Sequence, residues 1–88
     1  MRTFDPVQLG SIEQFCKAAE LGSFTAAAEF LGLAPASVSR SISRLENRLG
    51  VRLFSRTTRS IRLTTEGEIY RQECQRALEQ IAEAERAI

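Results

Sequence analysis

Apolar residues recur at helical spacing through the first third of the chain. Asp5 followed by Pro6 is typical of a helix start, because the carboxylate can cap the first turn and proline has no N–H that needs an acceptor there. The spacing predicts a helix from Pro6 to about Leu21. Ser23 can then cap a short second helix, which we expect to end at Gly32, since glycine takes the left-handed conformation that closes a helix.

A third helix is predicted after a tight turn, opening at Pro35 and running to Gly50. Its apolar positions fall within roughly 60° of one another around the helix axis. They predict one buried stripe, made of Val38, Ile42, Leu45 and Leu49. Two helices joined by a short turn that contains glycine form the helix-turn-helix pattern.

The opposite face of the third helix carries arginine at four-residue intervals. Arg40, Arg44 and Arg48 project away from the apolar stripe, with Ser37 and Asn47 beside them. Short side chains would let the helix backbone approach the bases of a DNA groove, and arginine can pair with guanine or grip phosphate. A solvated helix face is the alternative, which the preceding helix and glycine turn disfavour.

Two short apolar runs follow Gly50. They span Val51–Arg56 and Ile61–Leu63, and the alternation in the second run is typical of a strand with one buried face. A β-hairpin placed after a recognition helix is a wing. Such a wing could lay Arg56 or Arg59 along a phosphate strand or into the minor groove, whereas a structural hairpin with solvated arginines is the alternative.

A long amphipathic helix is predicted to close the chain. Thr64 or Thr65 caps its start, and Thr65 is spaced to form a capping box with Glu68. A small domain cannot cover an amphipathic helix of about 36 Å, so we expect its apolar seam to need another helix. The seam follows heptad spacing and comprises Tyr70, Cys74, Ala77, Leu78, Ile81, Ala84 and Ile88.

Charge is unevenly distributed behind a net value of +1. Residues 1–64 hold nine lysines and arginines against five acids, whereas residues 65–88 hold three against six. Between Arg40 and Arg62, seven arginines stand against Glu46 alone. This block indicates a polyanionic partner more strongly than the charge of the whole chain does.

The remaining composition disfavours several classes of protein. The chain has no histidine, no glycine-rich phosphate loop and no serine or cysteine with a plausible activating partner, so we expect neither an enzyme nor a cofactor or metal site. Nothing approaches the roughly 20 consecutive apolar residues of a membrane span, and we expect a cytoplasmic protein. Cys16 and Cys74 lie far apart in sequence; we expect both to be reduced, with Cys16 in the core.

Three segments together resemble the N-terminal DNA-binding region of LysR-type transcriptional regulators. They are "GSFTAAAEFLGL", "ASVSRSISRLENRLGVRLFSR" and "LTTEG", and they occur in the family's order and spacing over nearly the whole chain. The resemblance implies a winged helix-turn-helix domain over residues 1–64, with the helix-turn-helix at 24–43 and the wing at 51–63. It also implies a linker helix over 65–88 and an effector-binding domain that lies beyond this chain.

The resemblance further implies which residues contact double-stranded DNA. Base reading falls on the start of the recognition helix, the wing touches the backbone or minor groove, and the second helix holds phosphate. Carried over position by position, and joined to the polar face described above, the predicted contacts are Ser23, Thr25, Pro35, Ala36, Ser37, Ser39, Arg40, Arg44, Arg56 and Arg59. Many family members have Ser or Thr at Ala34 and a base-reading Gln at Pro35, so side-chain readout is expected to be thinner here.

The family's linker helix joins two subunits, which implies a homodimer through the final helix and an operator that is an interrupted inverted repeat. A small-molecule effector is expected only for the missing domain. The alternative function is a winged-helix module that binds protein and no DNA. Basic charge on both the recognition helix and the wing disfavours that alternative.

Overall fold

Four helices and one two-stranded antiparallel sheet make up the part of the chain that the computed structural model describes, residues 6–57 and 60–88. Their bounds are α1 Pro6–Leu21, α2 Phe24–Leu31, α3 Pro35–Leu49, β1 Phe54–Arg56, β2 Ile61–Leu63 and α4 Thr65–Arg86. The predicted mainly α fold, a helix-turn-helix followed by a two-stranded wing and a long last helix, is confirmed. The predicted cap at Asp5 falls outside the described residues.

The turns around α2 form where the sequence predicts them. The Ser23 hydroxyl accepts from the Ala26 N–H at 3.1 Å and caps α2, and Gly32 closes the helix with a φ of 70°. At the start of α3, Ala34 offers no side-chain cap. Its carbonyl accepts from the Ser37 N–H at 2.9 Å, so the first turn of α3 begins on backbone hydrogen bonds alone.

The hydrophobic core lies where α1, α2 and α3 meet the start of the wing. Alanines from α2 let the other helices approach closely, and the core residues are Phe15, Ala18, Ala27, Ala28, Val38, Ile42, Leu45, Leu53 and Phe54. The Phe15 ring packs against Phe54 and Tyr70 with centroids 5.5 Å away in each case. The predicted α3 stripe is therefore confirmed at three positions and wrong at Leu49, which is 36% exposed because it lies in the last turn, at the edge of the core.

The wing is a short antiparallel ladder in which Phe54 pairs with Leu63 and Arg56 with Ile61. The first strand is shorter than predicted, since residues 51–53 are not part of it. Leu53 turns inward to the core, and its N–H is bound by the Glu46 carboxylate at 2.9 Å rather than by a neighbouring strand. Glu46 of α3 therefore takes the place of a neighbouring strand as the acceptor for the Leu53 N–H.

The start of α4 is tied to the wing. Thr64 is the N-cap, with its hydroxyl accepting from the Gly67 N–H at 3.0 Å and donating to the Arg52 carbonyl at 2.6 Å. The predicted capping box of Thr65 and Glu68 is wrong, because the position three residues after Thr64 is a glycine. Gly67 is buried, and a Cβ atom there would overlap the Leu53 carbonyl oxygen.

The apolar seam of α4 has two different surroundings. Tyr70 packs on Phe15, and Cys74 is buried against the chain's own first helix, so these two positions are covered without a partner. Leu78 is half-buried, whereas Ala77, Ile81, Ala84 and Ile88 are exposed. The expectation that the whole seam needs another helix is therefore wrong for its first two positions.

The packing of α4 on α1 also brings two thiols together. Cys16 and Cys74 are both free, as predicted, but Cys16 is only half-buried. The interaction between the two thiols raises the pKa of Cys16, as burial also does, and lowers the pKa of Cys74 to about 7. Separation along the sequence concealed this pair, because only tertiary packing of the first and last helices creates it.

Candidate nucleic-acid interface

The outward face of α3 presents two arginines without an acidic partner among the described residues. Arg40 and Arg44 are exposed and lie one turn apart, on the side of the helix away from the buried Val38 and Ile42. No described carboxylate therefore competes for their guanidinium groups, which can donate to an external acceptor such as phosphate or a guanine edge.

The N-terminal turn of α3 carries short side chains. Pro35 and Ala36 are exposed, and Ser37 and Ser39 are half-buried beside them. None of these side chains extends far from the helix, so the backbone can come close to a flat surface or a groove floor. The positive end of the helix dipole lies at this turn, where Ala34 supplies no side-chain oxygen to cap the helix.

Arg48, the third arginine of the strip, has a different neighbour. Its guanidinium lies close enough to the Tyr70 hydroxyl of α4 to lower the pKa of Tyr70, against the larger rise that burial causes. The sequence pattern placed Arg48 with Arg40 and Arg44, but the structure places it at the junction of α3 and α4. The strip of free arginines is therefore one turn shorter than the spacing predicts.

The N-terminus of α2 faces the wing. Thr25 is exposed, whereas the Ser23 hydroxyl is already occupied as the helix cap. A cleft between the α1–α2 turn and the wing is lined by Gly22, Ser23, Phe24, Thr57, Ser60 and Ile61. Backbone N–H groups and short hydroxyl side chains at this edge are typical phosphate donors.

The wing arginine Arg56 is held from two sides. Its Nη2 lies 3.2 Å from Oε1 of Glu46, and its guanidinium carbon is 5.1 Å from the centre of the Phe24 ring. Arg52 also approaches Oε1 of Glu46, at 3.7 Å, but its side chain is 74% exposed, against 31% for Arg56. Arg56 is therefore not the free cation that a simple contact with the DNA backbone would need.

The tip of the wing is a turn closed between Thr57 and Ser60. The Thr57 N–H donates to the Ser60 carbonyl at 2.9 Å, and the Ser60 N–H donates to the Thr57 hydroxyl at 3.1 Å. The predicted contact residue Arg59 falls outside the described residues.

Sequence reasoning missed three residues of this surface: Glu46, Arg52 and Phe24. One signal for Glu46 was present, because it is the only acid among the seven arginines from Arg40 to Arg62. A lone acid in a basic block can be a solvated charge or the hub of a network, and only its 5% exposure shows which. Phe24 carried no such signal, since its contact with Arg56 depends on how the wing folds back onto α2.

Two other kinds of site are absent from the described residues. No helix among them is long and apolar enough to cross a membrane. No three His, Cys, Asp or Glu side chains in the same ranges come together as metal ligands.

A three-helix unit with a β wing and an arginine-bearing outer helix defines the class of winged helix-turn-helix proteins. Residues 9–68 match the model of the bacterial regulatory helix-turn-helix proteins of the lysR family. The chain belongs to this family. The resemblance stated from the sequence is confirmed.

The chain is similar to several curated regulators. It is 51% identical over 74 residues to an HTH-type transcriptional regulator of Xanthomonas campestris pv. campestris, which covers 84% of this chain and 22% of the relative. It is 46% identical over 74 residues to the HTH-type transcriptional activator AaeR of Escherichia coli, again 84% of this chain and 24% of the relative. The chain thus spans about a quarter of the length of the curated relatives it matches, and these relatives are regulators rather than enzymes.

Solved structures with the same fold include domains crystallised on DNA. The complex of the CbnR DNA-binding domain with DNA gives a TM-score of 0.84 at 30% identity, covering 90% of this chain and 91% of that one. The complex of the BenM DNA-binding domain with catB site 1 DNA gives a TM-score of 0.83 at 33% identity, covering 86% of this chain and 84% of that one.

Proposed function

We propose that this chain binds double-stranded DNA sequence-specifically, as the DNA-binding part of a bacterial transcriptional regulator that acts in the cytoplasm. The observation that carries the proposal is the outer face of α3, where Arg40 and Arg44 are exposed and unpaired with any described acid. The family and the DNA complexes of its structural neighbours support the same conclusion.

The recognition helix α3 enters the major groove in this proposal. Pro35 and Ala36 let its first turn approach the bases, with their apolar surfaces suited to thymine methyl groups. Ser37, Ser39 and Arg40 supply the hydrogen-bonding groups of that turn, and Arg44 reaches base or phosphate one turn later. Ser23 and Thr25 hold phosphate at the N-terminus of α2, chiefly through the backbone N–H groups there.

The distal half of α4 joins two copies of the chain in a homodimer. Its exposed apolar residues Ala77, Ile81, Ala84 and Ile88 supply the contact surface. A two-fold axis then makes the operator an interrupted inverted repeat, with recognition helices in major grooves roughly 34 to 36 Å or a multiple apart. A small-molecule effector would bind elsewhere in the full-length regulator.

The proposal predicts strongly salt-dependent binding. If a dimer neutralises about six phosphates, the logarithm of the affinity should fall against the logarithm of salt with a slope near −5. The measurement is a fluorescence-anisotropy titration with an operator selected from random duplexes, repeated at several salt concentrations. A flat salt dependence would contradict the proposal and favour a module that binds only protein.

Replacement of Arg40 tests base reading. Arg40→Ala should cost about 1 to 3 kcal/mol on the selected operator and relax the preference at one position of each half-site. Arg76→Ala is the matched control, because Arg76 is exposed on α4 with only an exposed glutamate, Glu73, at 3.5 Å. Equal losses on every sequence from Arg40→Ala would remove Arg40 from base reading.

A further inference from the structure

Glu46 is a buried acid inside the most basic segment of the chain. It lies on α3, only 5% exposed, and faces the wing rather than the outer arginine face. A buried carboxylate is costly unless hydrogen bonds and counter-charges replace its water. The contacts of Glu46 therefore show what it stabilises.

Both oxygens of the Glu46 carboxylate are occupied. Oε2 accepts from the N–H groups of Leu53 and Phe54, at 2.9 and 3.2 Å, at the start of β1. Oε1 accepts from Nη2 of Arg56 at 3.2 Å and lies 3.7 Å from Nη1 of Arg52. One side chain of α3 thus fixes both the backbone and a cation of the wing.

Arg56 extends this network to α2. Its guanidinium lies against the Phe24 ring while it donates to Glu46, so it links α2, α3 and β1. Turning Arg56 fully onto a phosphate would weaken its bond to a buried carboxylate, whose only other cationic neighbour among the described residues is Arg52. Arg52 is mostly in solvent and loses little by turning to another anion.

We propose that Glu46 is a positioning residue for DNA recognition. It keeps Arg56 bound between the recognition helix and the wing, and it leaves Arg52 as the cation of this cluster that binds phosphate. The inference rests on the proposed DNA binding. It gives the phosphate contact expected of Arg56 to Arg52, which lies in the basic block but not among the contact residues predicted from the sequence.

The matched pair Arg52→Gln and Arg56→Gln separates the two cations. Each removes one positive charge from the same side of Glu46. Arg52→Gln should weaken binding to all duplexes evenly and make the salt slope shallower by about 0.9 for each phosphate that is no longer neutralised. Arg56→Gln should leave the slope unchanged and weaken the selected operator more than a random duplex, so that the ratio of the two affinities falls by about tenfold or more.

Glu46→Gln tests the positioning role from the other side. If the amide oxygen keeps the Leu53 and Phe54 donors, the NH₂ group points at Arg56, and two donors face each other. Arg56 is then released, which should keep or strengthen binding to the random duplex, steepen its salt slope and lower the operator-to-random ratio. Glu20→Gln is the control, because it removes an equal charge from an exposed pair with Lys17 at 2.9 Å.

Affinities are compared per folded molecule, with the folded fraction taken from thermal unfolding of each variant. A shallower slope for Arg56→Gln than for Arg52→Gln would overturn the proposal and return the phosphate contact to Arg56. An unchanged operator-to-random ratio for Arg56→Gln would also overturn it, by making the network purely structural. If Glu46→Gln does not fold, the arginine pair still decides. Failure of the wild type to bind any duplex at low salt is a different result, which refutes the proposed function itself.

Discussion

The two halves of α4 share one heptad spacing but have different neighbours. In the first half, Gly67, Tyr70 and Cys74 pack on the wing and on α1 of the same chain. In the second half, Ile81 is 46% exposed and Ile88 is fully exposed. Heptad periodicity therefore predicts that a helix face will be covered, and the fold shows which part of that face the chain covers itself.

The largest expected effect is on the second half. Ile81→Glu places a charge in the proposed contact of both chains, so the dissociation constant of the dimer should rise by about 100-fold or more. Thermal unfolding of the winged domain should hardly change, since Ile81 lies outside the core. Sedimentation equilibrium measures the dimer, and DNA titration should show weaker operator binding because the two half-sites are no longer bound together.

Gln80→Glu is the control for Ile81→Glu, because it adds the same charge at the next exposed position, off the seam. A wild type that is monomeric at tens of micromolar would contradict the proposed dimer. An Ile81→Glu variant that stays a tight dimer would show that the second half of α4 is not the dimer contact.

The next largest effect is on the first half. Gly67→Ala forces a methyl group against the Leu53 carbonyl oxygen and within 3.0 Å of a Leu63 methyl, where the backbone of the wing cannot easily yield. We expect a loss of about 2 to 3 kcal/mol in the free energy of unfolding, measured by urea denaturation. Gly10→Ala in α1 is the matched control, since nothing lies within 4 Å of its added Cβ atom, and it should stabilise by about 0.5 to 1 kcal/mol. Equal effects of the two changes would mean that α4 does not rest on the wing.

The smallest effect separates two neighbouring threonines. Thr64→Ala removes the α4 cap and the bond to the Arg52 carbonyl, and should cost about 1 to 2 kcal/mol. Thr65→Ala should cost close to nothing, because Thr65 is exposed in the first turn and caps no helix. Urea denaturation of both variants measures the difference, and a larger loss for Thr65→Ala would restore the capping box that the sequence predicted.

The helices and the recognition face could be predicted because their determinants are local. Ser23, Gly32 and Pro35 each act within a turn of the chain, and the periods of apolar residues distinguish helix from strand without tertiary information. The exposed positions of Arg40 and Arg44 follow from the same period. The exposure of the two arginines could be predicted from the rotation per residue around the helix axis alone.

The rest could not be predicted because it depends on contacts between distant segments. The wing network requires Glu46 of α3, Phe24 of α2 and Arg56 of β1 to meet, and nothing in their spacing specifies that meeting. The approach of Arg48 to Tyr70 is similar, because helical spacing gives the direction of Arg48 but not the position of α4 beside it. Residues that bridge elements are thus the ones that sequence patterns conceal.

No flexible segment separates the wing from α4, so a rotation of α4 is passed on to the winged domain. Thr64 alone separates β2 from α4, and it is bonded to residues on both sides, so the 22-residue helix extends from the wing as a stiff arm. The helix is about 33 Å long. If it tilts by about 10° about its C-terminal end, its N-terminal end at the wing moves by about 6 Å. That displacement exceeds the rise of about 3.4 Å between base pairs. In the proposed dimer, a small rotation of one α4 against the other would therefore change which half-site spacing the two recognition helices fit.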